Sequence, residues 1–265
     1  MADNPKKGPR ASEDVAGRGV DALATQALSV VASQGQRQKP INTALLERLD
    51  AAARKGDHDG CLAVVADMKS AGINAEEVAE RYIPELARRM GDEWCEDSMS
   101  FAEVTIGVSR LQSLLRDLGP EWRADRHADP YAPAALVVVA LDDYHTLGAM
   151  ILSGQLRRRG LSVKLQLGSS PESLSATLED TDYDAVLISA SVGESLETLR
   201  RLVKAVRTTK GENPPVVIGG AIVDEHDALS EETGANFATS DVDEALEHCG
   251  LTIIPTAKGR QGRRT

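Results

Sequence analysis

From about position 136 the chain alternates two patterns. Short apolar runs, rich in Val, Leu and Ile, occur at 136–140, 183–188 and 216–218, and more mixed stretches at 161–167 and 235–239 read as two further strands. Runs of that kind predict buried parallel strands. Between them apolar residues recur every three or four positions. Met150, Ile151, Leu152 and Leu156 give one face to a helix over 148–159. Ser170-Pro171 opens another with proline at its first position, and 242–248 reads as the last. The alternation predicts an α/β fold: a doubly wound, flavodoxin-like, five-stranded parallel sheet over 135–252.

Residues 41–119 have only the helical period. Asn42 is a candidate N-cap for a helix carrying Leu45, Leu46 and Leu49. A turn at 56–60 precedes a helix with Cys61, Leu62, Val64, Val65 and Met68 that ends near Gly72. Asn74 opens a third through Val78, Tyr82, Leu86 and Met90, with Pro84 expected to kink it and Gly91 to stop it. Ser100 and Glu103 form a capping-box pair for a fourth, from Val104 to Leu118. Four amphipathic helices on short turns predict an antiparallel four-helix bundle. Residues 1–40 are polar and Gly-, Pro- and Ser-rich, and predict a disordered or weakly helical arm. Residues 120–134 read as a linker holding Trp122, His127, Pro130 and Pro133, and 253–265 as a basic tail.

The net charge of −11 argues against nucleic-acid or anionic-membrane binding by the whole surface, leaving only the basic tail for local contact with nucleic acid. No apolar run approaches ~20 residues, and the N-terminus lacks an apolar signal core. The three cysteines are scattered in no metal-like spacing, as in a cytoplasmic protein.

The chemistry concentrates at Asp143-Tyr144-His145-Thr146-Leu147-Gly148, just after the first strand. Ligands of open α/β sheets bind beyond the carboxyl ends of the strands. There a histidine can give one ring nitrogen to a metal, while an aspartate two residues earlier takes the proton on the other. The same residues also suit a helix-capping Asp143 beside a solvated His145. Asp224-Glu225-His226 after the fourth strand reads as a solvated loop rather than a metal cluster.

Asp-x-His-x-x-Gly resembles the signature of cobalamin-binding domains. Three further elements match in order: Ser189-Ala190-Ser191 after the third strand, Gly219-Gly220 after the fourth, and Ser195. The family's Ser-x-Leu leucine is Ser191 here. The resemblance implies cobalamin held by His145 as lower cobalt ligand. Asp143 and Ser195 would hold the histidine, and Gly148, Ser189, Gly219 and Gly220 would leave room for the nucleotide tail. The helical module resembles the domain that caps the corrin ring in corrinoid carriers and light-sensing repressors, with Trp94 over the ring. Trp94 also fits as a core aromatic beside a turn. Those repressors follow the tryptophan with a Glu-His pair; this chain has Val104-Thr105, which points to a small upper ligand such as water or hydroxide.

The whole plan is similar to the AerR/PpaA antirepressors of purple photosynthetic bacteria. That resemblance implies a cytoplasmic, light- and cobalamin-responsive regulator, not an enzyme, acting on a DNA-binding repressor of photosystem genes. A corrinoid methyl carrier for a methyltransferase is the alternative function, and haem the alternative cofactor.

Overall fold

A computed structural model describes residues 40–122, 131–141, 143, 145–209 and 213–251. The expected arm through residue 39, His127 with the middle of the linker, Tyr144 and the basic tail lie outside them. Five strands form one sheet: β1 (Ala134–Ala140), β2 (Ser162–Ser169), β3 (Ala185–Ser189), β4 (Val216–Gly219) and β5 (Phe237–Ala238). Their order is β2-β1-β3-β4-β5 and every pairing is parallel. Ladders align Val137 with Leu165 and Leu187, and Leu187 with Val217. β1 lies inside the sheet, between β2 and β3, and all of its residues after Ala134 are buried, so apolar side chains serve both faces. After β1 the chain goes to one side and after β3 to the other, which opens a crevice beyond the carboxyl ends of these two strands.

Alternate residues divide the sheet between two cores. Val137, Val139, Leu187 and Val217 pack with Ala149 and Leu156 of helix α6 (Thr146–Arg158) and Ala245 and Leu246 of α10 (Val242–His248). Leu136, Val138, Val186, Ile188 and Ile218 pack on the other face. Their partners include Leu174 of α7 (Pro171–Asp180), Leu202 and Val206 of α8 (Leu196–Thr208) and Leu229 of α9 (Leu229–Thr233). Strand and helix ends fall within a few residues of the pattern-based expectation, and Ser170 caps α7 with Pro171 in its first turn as expected.

Among the described residues four helical rods precede the sheet. They are α1 (Thr43–Arg54), α2 (His58–Ser70), a rod made of α3 (Ala75–Glu77), a π-helical turn (Val78–Tyr82) and α4 (Ile83–Cys95), and α5 (Phe101–Trp122). Asn74 and Glu77 form a reciprocal capping box at the start of the third rod. Pro84 does not end that rod. The backbone widens into the π turn just before it, where the Ile83 N–H reaches back to the Val78 carbonyl. This widening accommodates a residue that lacks an N–H. Gly91 does not stop the helix either. Arg54 of α1 grips Glu93 with both terminal guanidinium nitrogens, at 2.6 and 2.9 Å, and holds the last turn in place.

Trp122 is no linker residue. α5 runs on through it, and the indole is 2% exposed. It lies flat against Gly154 of α6, where an added Cβ would come to 2.1 Å from the ring. Its Nε1 donates to Glu80 Oε1 at 2.9 Å. Gln155 Nε2 donates to Glu80 Oε2 at 3.2 Å, and Arg158 Nη1 lies 2.9 Å from Glu80 and 2.7 Å from Glu76. At the other end of this contact Gln112 Nε2 donates to Thr146 Oγ1 at 3.0 Å. Early meets early and late meets late, so α5 and α6 run parallel. α6 begins at the carboxyl edge of the sheet. The part of α5 before Gln112 therefore projects beyond that edge, by about 16 Å for eleven residues. No described helix is long and apolar enough to cross a membrane.

Candidate functional site

The crevice at the carboxyl ends of β1 and β3 is held by one carboxylate. Asp143 is 7% exposed. Its Oδ1 accepts the His145 backbone N–H at 2.8 Å and lies 2.9 Å from His145 Nδ1. Its Oδ2 accepts the Ser191 N–H from the loop after β3 at 3.1 Å. One buried side chain thus ties the two loops together and orients the imidazole.

The imidazole itself faces outward, its side chain 75% exposed. When Nδ1–H donates to Asp143, the lone pair sits on Nε2, the ring atom turned away from the chain. A nitrogen presented in this way can coordinate a metal ion, and the carboxylate behind it raises its basicity. Among the described residues no three His, Cys, Asp or Glu side chains converge on a point, so His145 offers its nitrogen singly. That suits a metal whose other ligands come with it. The covered thiols are poor competitors: burial pushes Cys249 up to about 11 and Cys61 in the same direction.

Below His145 the wall is made of small residues. Gly148, in the first turn of α6, is exposed, and an added Cβ would lie 3.9 Å from Ser189 Oγ at the end of β3. The glycine pair after β4 is needed by the chain itself. Gly220 has φ +103°, and an added Cβ would come to 2.3 Å from the Ala190 carbonyl oxygen; one on Gly219 would come to 2.9 Å from that of Thr239. The result is a partly open edge at Gly148, Ser189 and Gly219, with little side-chain volume to exclude a ligand.

The structure does not bring Ser195 to the pair. Its hydroxyl caps α8, accepting the Thr198 N–H at 3.0 Å and meeting Thr198 Oγ1 at 2.8 Å. The second bond to Asp143 comes from the Ser191 backbone instead. Capping prevails because Thr198 is three residues on, where the serine satisfies an N–H otherwise left open.

Beyond the carboxyl edge the overhanging part of α5 and the end of α4 expose Trp94 (48%) and Phe101 (70%), while the exposed Ile106 lies by the turn at Gly56. The Trp94 and Phe101 rings lie 6.4 Å apart, tilted by 58°. Trp94 is therefore not a core residue. Leu141 and Val192, on the two loops tied by Asp143, are exposed as well. Phe101, which has no role assigned from the sequence, stands exposed beside Trp94. One imidazole nitrogen, a small-residue edge and an apolar overhang suit a large flat cofactor that carries its own equatorial metal ligands.

A family model described as B12 binding domain matches residues 133–249. A 20.5 kDa protein from the bchF-crtJ intergenic region of Rhodobacter capsulatus is 36% identical over 185 residues, 70% of this chain and 96% of that protein. The chain belongs to the B12-binding domain family. Its B12-binding segment contains Asp143, His145, Gly148, Ser189, Gly219 and Gly220, while Trp94 and Phe101 lie before it. The monomethylamine corrinoid protein of Methanosarcina barkeri has a similar fold. Its TM-score is 0.66 at 18% identity, with 79% of this chain and 98% of that one covered. The family match concerns cobalamin and lends nothing to haem as the alternative.

Proposed function

We propose that this B12-binding chain is a light- and cobalamin-responsive antirepressor. It acts by contact with a DNA-binding repressor of photosystem genes and performs no chemistry on a substrate. The observation that carries the reading is the Rhodobacter capsulatus relative, which lies in the bchF-crtJ intergenic region and is spanned almost whole by this chain. The geometry supports the cobalamin part. His145 would take the lower position on cobalt through Nε2, with Asp143 holding its Nδ1. Gly148 and Ser189 would flank the nucleotide tail. Trp94 and Phe101 would close over the upper face, keeping bulk water from it.

Bound cobalamin would supply a cobalt–carbon or cobalt–oxygen bond that light or ligand exchange can break. The overhang then reports the size of the upper ligand. Val104 and Thr105 stand on that overhang, and the Thr105 hydroxyl is already spent on the Phe101 carbonyl at 2.7 Å. This arrangement favours a hydroxo or aquo upper ligand over adenosyl.

The test is an absorption spectrum of purified protein mixed with hydroxo-, methyl- or adenosylcobalamin, in the dark and after illumination, with free cofactor removed. Retention of hydroxocobalamin, and of adenosylcobalamin only after light, is expected. His145→Ala should lose the retained colour with its melting curve unchanged. Retention of methylcobalamin in the dark, with demethylation by a partner enzyme, would make the chain a methyl carrier. Unchanged cobalamin affinity in His145→Ala would remove the histidine from the site.

A further inference from the structure

The face of the sheet opposite α6 carries a feature that the cobalamin site does not use. α7 and α8 leave a cleft of about 500 Å³ between them. Thr198, Arg201, Lys204 and Thr208 form one wall, a stripe at helical spacing along α8, and Glu172 and Ser175 of α7 form the other. The Arg201 and Lys204 side chains are exposed and make no hydrogen bond or ion pair with the described residues, in a chain whose net charge is −11. Glu172 faces them from the other wall. Its carboxylate is held below the usual range first by its own backbone N–H and then by Ser170, with Arg201 adding only a through-space contribution.

The upper end of the cleft is built from the two loops of the cobalamin site. Leu141 lines it from the loop after β1, two residues before Asp143. Thr198 lines it from the first turn of α8 and bonds Ser195, at the end of the loop whose Ser191 N–H holds Asp143. Ser169 lies beside them, where β2 advances three residues against two of β1, and it is 2% exposed. A small anion gains little from the N-terminus of α7. Its capping box already occupies the Ser173 and Ser170 N–H groups, and Pro171 has none. What remains is a pair of cations at one-turn spacing, flanked by hydroxyls and ended by an exposed leucine.

We propose that this cleft is the docking groove for an acidic segment of a protein partner, with its carboxylates on Arg201 and Lys204 and an apolar residue against Leu141. The proposal rests on the protein-contact reading of the function and places that contact on the face away from the helical bundle. Movement of the Asp143 loops would alter the upper end of the groove directly.

The experiment uses the full chain, with and without hydroxocobalamin, and fluorescence anisotropy at about 0.15 M salt. The probe is a labelled peptide alternating Glu and Leu; a labelled single-stranded oligonucleotide of equal charge is the comparison. The peptide is expected to bind, and Arg201→Glu/Lys204→Glu to weaken it about ten-fold. A control reversal of the same size, Lys69→Glu/Lys164→Glu, should leave it unchanged. No binding of the peptide, an equal loss in the control, or oligonucleotide binding with the same dependence on Arg201 and Lys204 would each overturn the proposal. The cobalamin spectrum of each variant separates the two readings. Peptide binding without cobalamin retention would keep the groove and refute the sensor; retained cobalamin without peptide binding would do the reverse.

Discussion

Gly154→Ala is a single methyl placed where the helical bundle meets the sheet. The added Cβ would stand 2.1, 2.4 and 2.5 Å from three atoms of the Trp122 ring. Carbon atoms in contact settle at about 3.5 Å, so the indole must retreat by roughly 1.4 Å. It cannot retreat alone, because its Nε1 is bonded to Glu80 and Glu80 is shared with Gln155 and Arg158. Overpacking of this kind costs about 1–3 kcal/mol, and losing the indole bond about 1 kcal/mol more. Alanine's helix propensity returns about 0.5–1 kcal/mol. The net is a destabilisation of about 2 kcal/mol, or about 4–8 °C in Tm for a chain of this size. The assay is thermal and guanidinium denaturation followed by tryptophan emission. Trp122 is buried and Trp94 half exposed, so a Trp94→Phe background isolates the signal. Trp122→Leu should absorb the methyl, making Gly154→Ala far less costly in that background. A Gly154→Ala protein as stable as the parent, with unshifted emission, would refute the account of this junction.

Two further outcomes follow from the site and the bundle. Asp143→Asn cannot serve both loops, since its amide must turn N–H groups toward either Ser191 or His145; hydroxocobalamin affinity by equilibrium dialysis should fall about 10–100-fold. The Arg54 guanidinium holds the Glu93 carboxyl below its ordinary value of 4.5, so this contact stabilises the bundle fully above that value. The contribution is lost as the pH falls through the lower folded value, and Glu93→Gln should flatten the acid limb of stability against pH measured by denaturant titration.

The sheet was legible because β1, β3 and β4 are apolar runs and the helices between strands keep their period. The cobalamin motif was legible because Asp143, His145 and Gly148 lie within six residues of one another, so one loop carries them together. What was not legible depended on distant partners. Trp122 sits among prolines and charges, and only Gly154, thirty-two positions on, shows that it belongs in the core. Ser195 fits two roles equally in sequence, and the N–H of Thr198 decides between them. Gly91 and Pro84 are breakers by propensity alone; a guanidinium clamp and a widened turn override them. The groove between α7 and α8 has no linear signature, since its walls come from segments some thirty residues apart.

α5 is a cantilever. Its far half meets α6 at two points, Gln112 and Trp122, about 15 Å apart along the axis, and its near half, packed on α4 through Gly107 and Met90, reaches about as far beyond the first. With arms of nearly equal length, a lift of 1 Å at Phe101 asks for about 1 Å at Trp122, where the ring already touches the bare backbone of Gly154. A ligand thick enough to raise the beam would therefore load the Trp122–Gly154 joint at its other end.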